Sequence, residues 1–390
     1  MPRKLDLKLP RCRVHPDARI TKSGKYRRDK DTLVLRCWPT RTADAHAFSV
    51  RAPGYLPRFR YSTSDIAQAM LRLGEGYTYA AAAYEARERA GRKQSVDMNL
   101  VVSWLDRFGK RIADALAPEQ EPGGTLLLDQ LLFNVSALDA SGKPKPAGRL
   151  AFAVMGAAIS RGAGRPQIVR LFAAPNKTEL WWRQFLELCD VRPDRILCDE
   201  DDAMINAIKA RWPKAERVLC HWHLENQAEQ ILIKYKRHSR RDPLYRSLQS
   251  ALNTRQAWGR FRSLAERSGI ADLDGWVTMK DDLVRAQLRR KVAPMTTGAL
   301  ETLLRDVKKM LIARRASFED FDRMDLVLGL AALHLNGKDR AARFREVIEG
   351  DASASGYGSH CSLPFSASRH LSHMASPRHV PLNGAVCKHV

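Results

Sequence analysis

From Ser62 onward the apolar positions recur first at helical spacing, then in short unbroken blocks, then at helical spacing again. Ser62–Gly76 (STSDIAQAMLRLGEG) opens on residues suited to cap a helix, sets Ile66, Met70 and Leu73 on one face and stops at Gly74. Thr78–Gly91 (TYAAAAYEARERAG) predicts a second helix. Asp97–Leu116 predicts a third, with Leu100, Trp104, Phe108 and Ile112 at i, i+4 spacing. Three helices with glycine-containing joints suit a helix-turn-helix unit over 61–117; a plain three-helix packing module is the alternative.

Pro118–Gly124 (PEQEPGG) has the composition of a linker, and the rhythm after it is α/β. Thr125–Phe133, Arg149–Ile159 and Gln167–Phe172 predict three successive strands, followed by a helix over Thr178–Cys189. Arg195–Cys198, a helix over Ala203–Arg211 and Arg217–Leu219 complete the alternation, which predicts a mixed five-stranded sheet within a domain spanning 125–345. Residues 224–292 read as an all-helical insertion, and Thr296–Leu311 and Arg323–Leu335 as two further helices. The Ser/His/Gly/Pro-rich segment 346–390 predicts a disordered tail.

Charge alters this picture most at the N-terminus. The chain carries 66 Lys/Arg against 43 Asp/Glu, a formal +23, and the first 60 residues alone hold 16 Lys/Arg against 5 Asp/Glu. Such a protein faces a polyanion, nucleic acid before an anionic membrane. No apolar run reaches the roughly 18 to 20 residues that cross a bilayer, and no secretory signal is visible, so the expectation is a cytoplasmic, nucleoid-associated protein. Seven scattered cysteines suit free thiols or metal ligands better than a disulfide framework. Within the arm 1–60, Cys12-x2-His15 followed by Cys37 and His46 is a candidate Zn²⁺ ribbon; a basic arm with incidental Cys and His is the alternative.

No P-loop, dinucleotide, zincin or nucleophile-elbow motif occurs, which leaves carboxylates as the candidate chemistry. Asp129 stands inside an apolar strand, where an ionised carboxylate is costly unless a cation or hydrogen bonds compensate it. Asp199 ends another apolar strand, and neighbouring strand ends can bring two such groups within reach of Mg²⁺ or Mn²⁺. Within Asp199-Glu200-Asp201-Asp202 the strand delivers Asp199 first; a solvated helix N-terminus is the alternative for the run. Trp181, Trp182, Trp212 and Trp222 read mostly as core by spacing, with stacking of one of them on a flipped or frayed base at a DNA end as the alternative.

The run Ile196–Ile208 (ILCDEDDAMINAI), the Trp212-Pro213-Lys214-Ala215 turn and Val218–Leu224 (VLCHWHL) resemble the core of the Mutator-like DDE transposases of bacterial insertion sequences. The resemblance covers about Thr125 to Asn336 and implies an RNase H-like fold with a helical insertion. It assigns Asp129, Asp199 and Glu301 as a catalytic triad holding two Mg²⁺ or Mn²⁺ ions, with Glu301 in the context Met295-Thr296-Thr297-Gly298-Ala299-Leu300-Glu301. Many members carry Asn near that glutamate, where this chain has Gly298 and Ala299. Cys220-x2-His223 matches the family's Cys-x2-His motif and implies residues that support the site; contact with the DNA end and zinc ligation, for which four ligands are not visible nearby, are the alternatives.

The activity so implied is cleavage of double-stranded DNA at terminal inverted repeats and strand transfer into target DNA, by a homo-oligomer pairing two ends. Lys234, Lys236, Arg237, Arg240, Arg241, Arg314 and Arg315 are the candidate phosphate contacts. Two other readings stay open: a non-catalytic DNA-binding regulator or inactive descendant, and an RNase H-like nuclease that cuts without joining.

Overall fold

The computed structural model describes residues 17–26, 29–38, 46–51, 56, 61–90, 97–119, 121–135, 149–161, 165–290, 296–314 and 320–354. In chain order these form β1 (Arg19–Tyr26), β2 (Asp29–Trp38), β3 (His46–Arg51), α1 (Thr63–Gly74), α2 (Tyr79–Ala90) and α3 (Met98–Ala115). Then come β4 (Thr125–Val135), β5 (Arg149–Ser160), β6 (Gln167–Ala174), α4 (Glu179–Glu187), β7 (Arg195–Cys198), α5 (Asp202–Arg211) and β8 (Glu216–Leu219). The rest is helical: α6 (His221–Lys234), α7 (Pro243–Ala251), α8 (Arg255–Arg267), α9 (Ala271–Arg290), α10 (Gly298–Ala313), α11 (Phe321–Leu335) and α12 (Ala341–Ala354). None of the described helices is long and apolar enough to cross a membrane.

The chain divides into two compact units. The first comprises 1–72, 79–104 and 340–366. Its strands make an antiparallel sheet in the order β1-β2-β3, so the basic arm contains regular structure at 19–26, 29–38 and 46–51. Ser62 and Asp65 cap α1 reciprocally: the Ser62 hydroxyl donates to Asp65 at 2.7 Å and the Asp65 N–H donates to Ser62 Oγ at 3.1 Å. Helix α12 corrects the expectation of a tail beginning at 346. Phe344 and Ile348 are buried, and Thr63 Oγ1 donates to Glu349 at 2.6 Å. That short apolar pair was hidden among charged residues. The tail beyond 354 lies outside the described residues.

The second unit comprises 73–78, 105–339 and 367–390. Its sheet runs β6-β5-β4-β7-β8, with β4 antiparallel to β5, β5 antiparallel to β6, and the β4–β7 and β7–β8 pairs parallel. Both faces are covered, which is why β4 reads as an apolar run rather than an alternation. Leu126, Leu128, Met155, Ile196 and Cys198 pack with Trp182, Phe185, Met204 and Ile208 of α4 and α5. On the other face Leu127, Val154, Leu197 and Val218 pack with Leu300, Leu304 and Val307 of α10 and Leu328 of α11. Each large side chain so buried contributes about 1.5 to 3 kcal/mol.

Helices α6 to α9 enclose a separate core around Trp258, Phe261, Trp276 and Val284. The insertion is therefore a helical subdomain with its own apolar centre. The expected linker 118–124 is pinned at its end: the Gly123 N–H donates to the Arg192 carbonyl at 2.9 Å and the Asp194 N–H to the Gly124 carbonyl at 3.1 Å. Gly124 has φ +87°, and a Cβ there would lie 2.9 Å from the Ser160 carbonyl oxygen, so only glycine fits without strain.

Candidate active site

Sheet register brings the first two carboxylates together. Parallel pairing sets Leu126 beside Ile196 and Leu127 beside Leu197. The same offset carries Asp129 to the level of Asp199, just beyond the last paired positions. Asp129 shares the parity of Leu127, whose face is the one that α10 covers. Opposite Asp129 in β5 stands Gly156, where an added Cβ would lie 2.9 Å from Leu304 Cδ2 and 3.4 Å from Leu300 Cδ1. The missing side chain lets α10 approach the sheet closely and delivers Glu301, in its first turn, to the carboxylates.

Asp129 is 6% exposed and accepts its neighbour Gln130's N–H at 2.8 Å. Burial pushes its pKa up to about 7; His223 and the Gln130 N–H pull it down, while Glu301 and Asp199 push it further up. His223 joins these groups geometrically: its Nε2 lies 3.8 Å from Asp199, and one of its ring nitrogens lies within 4.8 Å of a Glu301 oxygen. Asp199 accepts the Glu200 N–H at 2.7 Å through Oδ1, and its Oδ2 lies 3.8 Å from His223 Nε2. His223 has its pKa pushed up to about 9: burial opposes the imidazolium, but the Cys220 sulfur beside it and the charges of Asp199 and Asp129 outweigh burial.

Cys220 and His223 stand at the start of α6, directly after β8. The Cys220 N–H continues the sheet pattern by donating to the Cys198 carbonyl at 2.9 Å. Cys220 Sγ accepts the Thr297 N–H at 3.3 Å and lies 3.3 Å from Thr297 Oγ1, which donates to Glu301 at 3.0 Å. With the threonine proton given to Glu301, the thiol donates to Thr297 Oγ1. This buried chain from β8 to α10 fixes one oxygen of Glu301.

The other acids of the Asp199–Asp202 run are engaged elsewhere. Both Glu200 oxygens bind Lys280 of α9, at 2.6 and 2.7 Å. Asp201 caps α5 through the N–H groups of Ala203 and Met204 and accepts from Lys177 at 2.9 Å. Burial opposes its charge, yet Lys177 and the Met204 N–H hold its pKa below the usual carboxylate range. Asp202 lies in the first turn of α5. Asp199 is thus the member of the run turned toward Asp129 and His223.

Three carboxylates converging from β4, β7 and α10 offer the oxygen donors that Mg²⁺ or Mn²⁺ prefers. The buried Asp129 supports the fit: its carboxylate is unfavourable as an anion without added positive charge. One ligand atom each from Cys220, His223 and Glu301 also lie within 4.8 Å of one another. A second such group, Glu75, His334 and Asp339, includes a 2.6 Å contact between His334 Nδ1 and Asp339 that closes the end of α11.

Of the predicted phosphate contacts, Lys236, Arg240 and Arg241 are exposed and make no ion pair among the described residues. Lys234 pairs with Asp272 at 2.6 Å and Arg237 pairs with Asp242. Arg314 is a correction: it is 7% exposed and donates to the Leu73 carbonyl at 3.2 Å, so its guanidinium serves the interior rather than a phosphate. Arg315 lies outside the described residues, as do Cys12 and His15. Cys37 and His46 are cross-strand partners in the β2–β3 ladder. Trp222 departs from the core expectation: it is 40% exposed and stands edge-on to His223, ring centroids 4.9 Å apart.

Sequence reasoning missed Thr297, Lys280 and Gly156. Gly156 had a signal, as a glycine within an apolar strand. Lys280 had none, since it meets Glu200 across 80 positions.

No protein-family model matches the chain, and no curated protein matches it. Among solved structures, the Drosophila P element transposase strand transfer complex is similar over 76% of this chain and 82% of that chain, at 12% sequence identity and a TM-score of 0.27. So distant a likeness carries no argument about what this chain does.

Proposed function

We propose that the chain is a DNA transposase of the Mutator-like DDE kind, with an RNase H-like catalytic domain interrupted by the α6–α9 insertion. The observation that carries this reading is the meeting of Asp129, Asp199 and Glu301 on β4, β7 and α10. The strand order β6-β5-β4-β7-β8, antiparallel on one side of β4 and parallel on the other, supports the fold assignment.

In this reading Asp129, Asp199 and Glu301 hold Mg²⁺ or Mn²⁺. Two such ions supply activation of an attacking hydroxyl and stabilisation of the leaving oxygen in phosphodiester displacement. Asp129 anchors the site from the rigid sheet, Asp199 reaches it from the adjacent strand end, and Thr297 holds one oxygen of Glu301 so that the other faces the cluster. In the metal-free site His223 sets positive charge beside the carboxylates, 3.8 Å from Asp199. No covalent protein intermediate is required. Lys236, Arg240 and Arg241 contact phosphates, α1 to α3 and the N-terminal sheet bind terminal repeats, and a homo-oligomer pairs two ends.

The test is a cleavage and strand-transfer assay on DNA flanking the encoding gene, in Mg²⁺ or Mn²⁺, with wild type beside Asp129→Asn, Asp199→Asn and Glu301→Gln. Joined products abolished by each substitution, with DNA binding retained, are expected. Tight binding without any cleavage by wild type would sink the catalytic reading and leave a DNA-binding protein. Cleavage without joining would reduce it to a nuclease.

A further inference from the structure

We infer that Cys220, His223 and Glu301 form a second, softer metal site, which takes Zn²⁺ or Cd²⁺ and shares Glu301 with the carboxylate triad. Each of the three offers a ligand atom within 4.8 Å of the other two. A tetrahedral ion at ordinary Zn–S, Zn–N and Zn–O lengths needs ligand atoms about 3.5 Å apart, so small side-chain rotations close the set. Cys220 and His223 lie three positions apart at the start of α6, which keeps them on one side of its first turn.

Two independent features mark this place for a soft ion. His223 Nδ1 is buried with no hydrogen-bond partner among the described residues, an unsatisfied polar atom beside a thiol. Cys220 Sγ already accepts the Thr297 N–H at 3.3 Å, the kind of outer hydrogen bond that stabilises a metal-bound thiolate. Glu301 gives one oxygen to the Thr297 hydroxyl at 3.0 Å and keeps the other for a metal. Asp199, 3.8 Å from His223 Nε2, has a side chain that is 30% exposed, so water can reach the cluster and complete the shell. On binding, the Cys220 thiol proton and one imidazolium proton of His223 leave to solvent, and the thiolate sulfur and the freed ring nitrogen form the bonds to the metal. Sulfur and imidazole donors select Zn²⁺ or Cd²⁺ over Mg²⁺, which stays with the oxygens. One consequence rests on the transposase reading: with Glu301 diverted, Zn²⁺ opposes Mg²⁺-dependent cleavage.

The experiment is a Cd²⁺ titration of the full chain without DNA, followed by the ultraviolet thiolate-to-metal charge-transfer band, for wild type, Cys220→Ser, His223→Ala, Glu301→Gln and a Cys189→Ser control. Other Cys and His residues give the same background in every variant. Wild type and Cys189→Ser are expected to take one more Cd²⁺ per chain than Cys220→Ser, and His223→Ala and Glu301→Gln to bind that ion about tenfold or more weakly. Equal uptake and band intensity in wild type and Cys220→Ser would overturn the inference. Should Cys220→Ser fail to fold, the other two variants decide: both keep every thiol, and wild-type Cd²⁺ affinity in both overturns it equally. A failed transposase reading appears instead as absent cleavage with Cys220-dependent Cd²⁺ binding intact.

Discussion

Asp129→Asn should raise the stability of the metal-free protein at neutral pH, although it removes a residue central to the site. In the folded chain burial lifts the Asp129 pKa from 3.8 to about 7. That displacement of about three pH units corresponds to about 4 kcal/mol. A carboxyl whose folded pKa is raised contributes stability that is fully present below its unfolded value and is lost as pH rises through the folded value. Wild type should therefore lose about 4 kcal/mol relative to Asp129→Asn between about pH 4 and pH 7, and little more above that. For a unit of this size the loss corresponds to about 10 °C in melting temperature.

The assay is chemical or thermal unfolding of both proteins in a chelator across pH 4 to 9, read as the difference between the two curves. Subtraction cancels Asp325, whose pKa burial also pushes up to about 7. It does not cancel His223, whose raised value of about 9 depends in part on Asp129. His223 contributes stability that is present below about 6.5 and lost as pH rises through 9, so it adds a second decline in wild type at higher pH. A difference curve that is flat from pH 4 to 7, or that rises for wild type, would refute the electrostatic account of the site. Mn²⁺ added at pH 8 should restore more stability than at pH 5, since the carboxylates must be ionised to bind it, and should restore little in Asp129→Asn.

Gly156→Ala should cost about 1 to 3 kcal/mol by urea unfolding, because its Cβ meets Leu304 at 2.9 Å; cleavage should fall further than stability, since the displaced helix carries Glu301. Equal activity at reduced stability would show that α10 need not lie so close. Gly124→Ala, with φ +87° and a 2.9 Å approach to the Ser160 carbonyl, should cost about 1 to 3 kcal/mol in the same measurement. Lys280→Ala leaves the Glu200 carboxylate half-buried without its cation and should cost about 2 kcal/mol, seen as faster proteolysis within α6–α9. Replacing Lys236, Arg240 and Arg241 together by alanine should flatten the salt dependence of DNA affinity by about 0.9 in log–log slope per lost phosphate contact. An unchanged slope would place the DNA elsewhere.

The parts of the site legible in the sequence were those where a residue stood against its surroundings. Asp129 interrupts an apolar block and Asp199 ends one, and each position is costly enough to need a reason. The five strands were legible because both faces of the sheet are covered and the blocks stayed apolar. The helix start at His221 was not legible: the sequence places Cys220-x2-His223 on the strand, whereas β8 ends at Leu219 and Cys220 caps α6. What stayed hidden depended on contacts between distant segments. Thr297 is an ordinary threonine until folding seats it between Cys220 and Glu301. Lys280 reads as one more helix-surface lysine, yet its side chain is 11% exposed against Glu200. Arg314 reads as surface for the same reason, and its burial arises only when α10 ends near Leu73.

His223 gives these observations a common cause. Three carboxylates gathered in a partly buried place cannot all carry charge without a cation, and the fold responds in two ways. It raises Asp129 toward neutrality, and it places an imidazole where the Cys220 sulfur, Asp199 and Asp129 keep it protonated. Both responses are reversible, unlike a lysine salt bridge of the kind that Glu200 and Asp201 make with Lys280 and Lys177. A lysine at position 223 would hold its charge to high pH and oppose any divalent ion entering beside it. A histidine can surrender its proton, so the same side chain that balances the carboxylates in the metal-free protein ceases to repel a cation once one arrives. The acidic run thus divides by partner: Glu200 pairs with Lys280 and Asp201 with Lys177, while Asp199 faces a histidine, a partner that can yield its proton.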